Sequence, residues 1–562
     1  MTAGLVLLFT LAGAQATDVV ALDAATTPFH LSGGVQTFTV AGASGGTMRV
    51  RLRGSMRGAQ AKSGELLFDV RRTPLVGRSW NNRAHLEAQL RVSAAFVGDG
   101  KRNWQRPHRA RMFLEDARHR RLYLPNRAIV DRPRSTDGWL ALGGLVTVDV
   151  PIPLGLVDEG FDAARVTGLG VNVEAFNREG ETVSGDIEVR NLRVTFTAPV
   201  AARLLPADPA VAAGEGTRAT RMQARLRERC GLGSGEMAVG VNLAWPAVRA
   251  PDGKQIQLYG RLLDAGPEAW WGRHFDLGDA AVAASVRADF RAIRATFGAQ
   301  APVRLWLFAD GRTGLVFAGN GVAVSERARA NMAVLLALAA EEQVVLIPVL
   351  LDFGLADGVA RSGPDSAWPV AEHAELVTDP TRREQLVAAL EGFVRPFADH
   401  PAVLAWDVMN EPDNATAVVT PEHYADLQAL VRDLVDAVHR AGGLATVGQR
   451  NAHEPRRFWR GRVADDLGQV HYYPLVETRP NPARFGVALG PMFGPLPAGW
   501  GELQAYRGEI ARQLATARRA GHRLFMFWSW RGHEDNGDGF AVQPYAEEIR
   551  RALDAQRAAK LP

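Results

Sequence analysis

Apolar and polar positions alternate over the first third of the chain and then change period. Met48, Val50 and Leu52 are interleaved with Arg49, Arg51 and Arg53, and Ile187, Val189, Val194 and Phe196 carry a similar pattern near the end of this region. A period of two buries one face and wets the other, as in antiparallel strands. Further apolar runs at Leu66–Val70, Leu86–Val97, Ala110–Leu114 and Leu145–Ile152 are set off by Gly, Pro and Asn, at the spacing of a sandwich or jelly roll. The spacing predicts an all-β domain over residues 17–198. From Pro199 to Gly216 the chain is rich in Ala and Pro with little periodicity and reads as a linker. The Arg-rich stretch to Arg229 predicts a short solvated helix, so that 199–234 joins two domains.

From Gly235 onward, continuous apolar runs alternate with amphipathic segments, as a parallel α/β fold requires. Candidate strands are Ala238–Ala244, Val303–Phe308, Val344–Leu351, Val403–Met409, Leu444–Val447, Gln469–Tyr473, Pro497–Gly501 and Leu524–Trp528. Helices are predicted near Ala280–Phe297, Ser325–Glu342, Arg382–Ala398 and Glu422–Ala441. This order predicts a closed (β/α)8 TIM barrel over 235–562.

The fourth run, Ala402 to Met409, ends abruptly in Asn410, Glu411 and Pro412. Strands covered on both faces read as continuous apolar runs, and proline cannot continue the ladder, so Glu411 falls where strand becomes loop. In a β/α barrel that end of the strand carries the chemistry. The stretch resembles the retaining glycosidases of clan A, family 5 in particular, whose fourth strand ends in Asn-Glu-Pro with the Glu as acid/base. Retaining hydrolysis needs a second carboxylate on the other side of the glycosidic bond. Glu502, at the end of the seventh candidate strand, resembles the family's nucleophile, although Leu503, Gln504 and Ala505 stand where the family has a Gly. Glu477, Glu509 and Glu534 compete for that role. Glu509 falls in a helical pattern with Arg512, as a solvated residue would.

The same resemblance implies roles for the other strand ends. Arg304, in Val303–Phe308, looks like the residue that bonds the nucleophile and keeps it ionised. His471 would line the sugar site and Tyr472 would donate its hydroxyl to the nucleophile. Trp528 would form the floor beneath the sugar, and Asn410 would hold its 2-hydroxyl. Taken singly, each residue has a duller reading as an ion pair, a core aromatic or a satisfied polar group. Trp245, Trp306 and the Trp270-Trp271 pair are further aromatic candidates for sugar subsites. At the end of the third strand, where the family often has His, this chain has Asp352.

The order of segments in the N-terminal domain is similar to carbohydrate-binding jelly rolls: Ala110–Asp116, Gly138-Trp139, Val166–Asn172 and then Gly185–Val189. Trp80, Trp104 and Trp139 are its aromatic candidates, though tryptophan in a sandwich is more often core. A domain that only buttresses the enzyme is the alternative.

Composition adds limits. The 562 residues are 47% hydrophobic and 22% charged, ordinary for globular domains. A net charge of +4, from 65 basic and 61 acidic residues without clustering, gives no sign of a nucleic-acid partner. The single cysteine, Cys230, excludes an internal disulfide and is expected to be inert. Residues 3–16 form a short apolar run ending in Ala14-Gln-Ala16, which fits a signal peptide cleaved before Thr17 and a secreted or periplasmic protein. No Lys or Arg precedes that run, so an upstream start, a buried strand or a membrane tether are the other readings. The run is too short to span a bilayer as a helix, and no later one qualifies. No cofactor motif and no paired Cys/His metal set appears, and His533–Gly539 lacks calcium-loop spacing. Two function classes follow: a retaining glycosidase on a β-linked glucan or mannan, and a non-catalytic polysaccharide-binding protein on the same fold.

Overall fold

The computed structural model describes residues 18–33, 37–55, 62–78, 80, 84–92, 108–124, 127–129, 139–146, 161–175, 182–197, 203–233, 236–249, 253, 255–265, 275–309, 311, 313–318, 321–357, 370–415, 422–448, 459, 461–472, 499–504, 508–519, 521–532 and 541–558. Residues 1–17, with the expected signal peptide, lie outside that set, as do Trp104, Trp270, Trp271, Glu477 and Glu534.

The period-two alternation becomes two antiparallel sheets of six strands. In the first, Leu140–Val146, Ala84–Val92, Thr182–Phe196, Thr47–Ser55 and Thr37–Ser44 lie side by side, with Asp18–Leu22 also on Thr182–Phe196. The second runs Phe29–Gly33, Lys62–Asp69, Val166–Ala175, His108–Asp116 and Arg121–Tyr123, with Arg127–Ile129 also on His108–Asp116. Alternate residues of both sheets, among them Val50, Leu86 and Val189 from one and Phe68, Leu114 and Val171 from the other, make one apolar core. Of the strand expected over Leu145–Ile152, Leu145 and Val146 end the strand Leu140–Val146, and the rest lies outside the described residues. Trp80 belongs to this core, edge-on to Phe196 at 5.3 Å. Trp139 is also buried, with the guanidinium groups of Arg91 and Arg190 over its ring at 4.4 and 4.0 Å. Neither ring is open for stacking on a sugar.

Eight parallel strands close a barrel. They are β1 (Ala238–Asn242), β2 (Ala301–Trp306), β3 (Val344–Asp352), β4 (Trp406–Asn410), β5 (Ala445–Val447), β6 (Leu467–Tyr472), β7 (Gly499–Gln504) and β8 (His522–Trp528). Every residue of β1 through β5 is buried, which is why these strands read as mainly apolar runs. Gly240 is required in β1: a Cβ there would lie 2.1 Å from the carbonyl oxygen of Pro302. Several of the helices begin at side-chain caps. Asp279 accepts from the amides of Ala281 and Val282 at the start of Ala280–Phe297, and Ser325 caps Glu326–Glu341. Val282, Val286, Phe290, Ile293 and Phe297 then form the face of the first of these helices that meets the barrel.

The segment expected to be a linker is instead part of the barrel domain. Helix α1 (Glu215–Cys230) buries Ala219, Met222, Leu226 and Cys230 in one cluster with Ala238, Val345, Leu404, Leu444, Leu467 and Leu524 from the barrel. Its Arg221 pairs with buried Asp466, and Arg225 and Arg229 pair with Asp399. Ahead of it, Leu205 donates its amide to Gln428 and Asp208 donates to the carbonyl of Gly461. The Arg-rich composition suggested a helix in water. The stripe Ala219, Met222, Leu226, Cys230 repeats at helical spacing and closes one end of the barrel. Burial pushes the Cys230 thiol up to about 12, so it stays protonated and inert.

Candidate active site

The opposite end of the barrel carries a floor of buried polar groups. Arg304 of β2 is fully buried and ion-paired with Asp407 of β4, its Nε and Nη2 donating to Oδ2 at 2.9 and 2.7 Å. Its Nη1 donates to Asn242 Oδ1 at 3.2 Å and its Nη2 to Asn410 Oδ1 at 2.7 Å. Asn242, the register partner of Arg304, donates in turn to the carbonyl of Phe527 in β8. Burying both charges removes their hydration, and only such a full set of bonds offsets that loss. Gly448, after β5, makes room above the floor: a Cβ there would lie 3.0 Å from Arg304 Nη2 and 3.1 Å from His471 Cε1.

Asp352, the register partner of Asn410, organises one side. Its Oδ2 accepts from Asn410 Nδ2 at 2.7 Å, Tyr259 OH at 2.7 Å and Trp306 Nε1 at 3.1 Å, and its Oδ1 accepts from the Gly354 amide. Burial pushes its carboxyl above the ordinary range and the charge of Glu411 adds to the effect, against the pull of those hydrogen bonds. Around it stands an aromatic wall. Trp528 meets Trp245 edge-on at 5.2 Å and Trp306 at 5.5 Å, and Tyr259 lies 5.8 Å from Trp306. Trp245, Tyr259 and Trp528 remain partly exposed, whereas Trp306 is buried with Arg304 over its ring at 4.4 Å. Trp306 was expected to offer a sugar subsite; it backs the wall instead.

Glu411 follows the last residue of β4 in a left-handed backbone conformation, φ 46° and ψ 51°. A non-glycine residue held there costs of the order of 1 kcal/mol or more, and such positions cluster at functional sites. Its Oε1 lies 2.9 Å from Nδ1 of His471. The other ring nitrogen of His471, Nε2, lies 3.0 Å from Gln469 Oε1, and Gln469 Nε2 donates to Asp407 Oδ2 at 2.8 Å. His471 was expected to line the sugar site; it is almost wholly buried and stands behind Glu411.

The fold therefore brings together Glu411, Arg304, Asn410, His471, Trp245, Trp306 and Trp528. Glu502 lies on β7 in register with His471 of β6 and Met526 of β8, and Tyr472 of β6 is in register with Leu503. The side chains of Glu502 and Tyr472, and hence the expected bonds from Arg304 and Tyr472 to the nucleophile, lie outside the described residues. The described bonds of Arg304 go to Asp407, Asn242 and Asn410. Glu509 pairs with Arg512 on the surface helix, as expected of a solvated residue.

Asp407, Gln469, Asn242 and Tyr259 are functional candidates the sequence reading passed over. Asp407 had a signal, being the one charge inside the apolar run 402–409, and Gln469 stands two residues before His471 and so shares its face. Tyr259 lies in an irregular insertion and had none. Among the described residues no three His, Cys, Asp or Glu side chains converge as a metal would require.

No family model and no curated protein matches the sequence. Among solved structures, the chain is similar to a β-1,4-mannanase from the common sea hare Aplysia kurodai, with 17% identity and a TM-score of 0.39 over 57% of this chain and 92% of that one. It is also similar to a GH5_18 protein from Streptomyces cattleya, at 17% identity and a TM-score of 0.41 over 58% and 82% of the two chains. For a family 1 β-glucosidase from Thermotoga maritima the values are 10%, 0.38, 59% and 99%. With TM-scores this low the likeness carries no argument, and the barrel stands on the strand pairing of this chain.

Proposed function

We propose that the protein is a retaining glycoside hydrolase acting on a β-linked polysaccharide of the glucan or mannan type. The observation that carries this reading is the placement of Glu411: a carboxyl at the tip of β4, bonded to a buried histidine and set above a buried Arg–Asp–Asn floor beside an aromatic wall. In the first step the O–H bond of Glu411 breaks and its proton goes to the glycosidic oxygen, which leaves with the bonding electron pair. The Glu502 carboxylate forms the new bond to the anomeric carbon from the opposite face. In the second step Glu411, now ionised, takes a proton from water as that water displaces Glu502. One Nδ2 hydrogen of Asn410 is engaged by Asp352, which leaves the second for the sugar's 2-hydroxyl. Trp528, Trp245 and Tyr259 supply ring surface for the sugar.

The reading extends to export, with cleavage before Thr17, and to a jelly-roll sandwich that engages the polymer. Trp80 and Trp139 take no part in that contact. The Asp352–Tyr259–Trp306 group occupies the place of the family's His, so sugar selection at this side of the site passes through Tyr259.

Both carboxylates are tested on aryl glycosides. With a leaving group that departs unprotonated, Glu411→Ala should keep the first step, and azide should restore turnover with retained configuration. Glu502→Gly should lose hydrolysis of every substrate, and azide should return only an inverted adduct. Wild-type turnover in Glu502→Gly would reassign the nucleophile to Glu477 or Glu534. A wild type that binds polysaccharide and hydrolyses none of a glucan and mannan panel would favour the non-catalytic reading instead.

A further inference from the structure

The hydrogen atoms of the floor can be assigned one after another from the groups that have no choice. Arg304 can only donate, so Asp407 Oδ2 accepts from it twice, and the same oxygen lies 2.8 Å from the amide of Gln469. Facing that carboxylate, Gln469 must present its NH2. The second amide hydrogen has its own acceptor: Thr446 spends its hydroxyl hydrogen on the carbonyl of Leu467 at 2.6 Å, leaving Oγ1 to accept from Gln469 Nε2 at 3.3 Å. Both amide hydrogens are thereby used, and the carbonyl end, Oε1, points at Nε2 of His471 at 3.0 Å. A carbonyl oxygen can only accept. A neutral imidazole at this position therefore carries its hydrogen on Nε2 and turns the Nδ1 lone pair to Glu411 Oε1, 2.9 Å away.

From this geometry we infer that Gln469 is a positioning residue that fixes the His471 proton on Nε2 and leaves Nδ1 to accept a hydrogen bond from the protonated carboxyl of Glu411. A lone pair and a carboxylate at that distance repel unless one proton lies between them. The pair holds that proton to higher pH than a carboxyl facing a free imidazole, which would turn its Nδ1–H to the carboxylate and favour ionisation. Glu411 thus stays an acid ready to protonate a leaving group. Gln469 touches no substrate and acts through His471. The other described charges bonded into this network are Arg304 of β2, Asp352 of β3 and Asp407 of β4, and Glu502 of β7 is the backbone register partner of His471. All of them are retained when only the amide is changed.

The inference rests on the glycosidase reading for its kinetic arm alone. The first measurement is a pH titration of 15N-histidine-labelled wild type by NMR, with the His471 signals identified by their loss in His471→Gln. The expected result is a neutral His471 protonated at Nε2. A neutral ring protonated at Nδ1, or an imidazolium that persists through the whole titration, would overturn the inference whatever the activity. The second measurement is the pH dependence of kcat/KM for Gln469→Met, which keeps length and loses all three hydrogen bonds of the amide. On an aryl glycoside with a poor leaving group the alkaline limb should fall by about one pH unit. It should move little on a substrate whose leaving group needs no proton. A folded Gln469→Met with an unmoved limb and Nε2 still protonated would also overturn it. If this variant does not fold, the wild-type titration decides. A wild type inactive on all glycosides but protonated at Nε2 would sink the glycosidase reading and leave the proton assignment standing.

Discussion

Arg304 and Asp407 are the charges whose burial the site depends on, and their removal is costly because each would leave the other unpaired in a dry interior. Arg304→Met should lower stability by about 3–5 kcal/mol in denaturant unfolding, more than any surface Arg such as Arg395 in its exposed pair with Glu391. Asp465, at the other end of the barrel, offers a pH signature. Burial, then the negative charges of Asp466 and Glu215, raise its carboxyl from 3.8 to about 6, against the opposing effect of Arg218. A carboxyl raised in the folded state contributes stability below its unfolded pKa and loses it as pH rises through about 6. Asp465→Asn should therefore raise the unfolding free energy at pH 7.5, measured with denaturant, by about 1 kcal/mol given its partial solvent contact, and leave it unchanged near pH 3.5. An equal change at both pH values would show that packing, not charge, is responsible.

Helix α1 is the element whose role differs most from its composition. Its arginines reach Asp466 and Asp399 while Met222 and Leu226 fill the space beneath the strands. Met222→Ala should cost about 2–5 kcal/mol, as for other fully buried side chains, although the residue lies far from the site. The domain boundary moves accordingly. A chain starting at Arg203 should unfold cooperatively and keep the activity of the barrel on short substrates. One starting at Gly235 should be poorly soluble or melt well below it, since apolar residues of the strands would meet water. Equal melting temperatures for the two chains would refute a structural role for α1.

At the scale of the whole molecule, the sandwich and the barrel have separate apolar cores, one drawn from the two antiparallel sheets and the other from the strands and helices of the barrel. Separate cores are the condition for independent folding. Removing residues before Arg203 should leave kcat/KM on oligosaccharides within about twofold and weaken action on insoluble polymer, if the sandwich engages the polysaccharide. With Trp80 and Trp139 enclosed, Trp139→Ala in the full chain should affect stability, read by thermal melting, and leave polymer binding by pull-down unchanged. Loss of binding without loss of stability would place Trp139 in a sugar contact.

The eight barrel strands and the position of Glu411 at a strand tip were legible in the sequence because a strand buried on both faces is apolar at most of its positions. The first polar residues after such a run then mark its end. The N-terminal alternation was legible for a related reason, since a half-buried strand repeats every two residues. What the tertiary structure decided are the pairings across the barrel. Arg304 bonds a carboxylate 103 positions away and His471 one 60 positions away, and no local period encodes which inward side chains will meet once the sheet closes. The same holds for α1: four apolar residues among many arginines are a weak local signal, and only the open end of the barrel makes that narrow stripe the buried one.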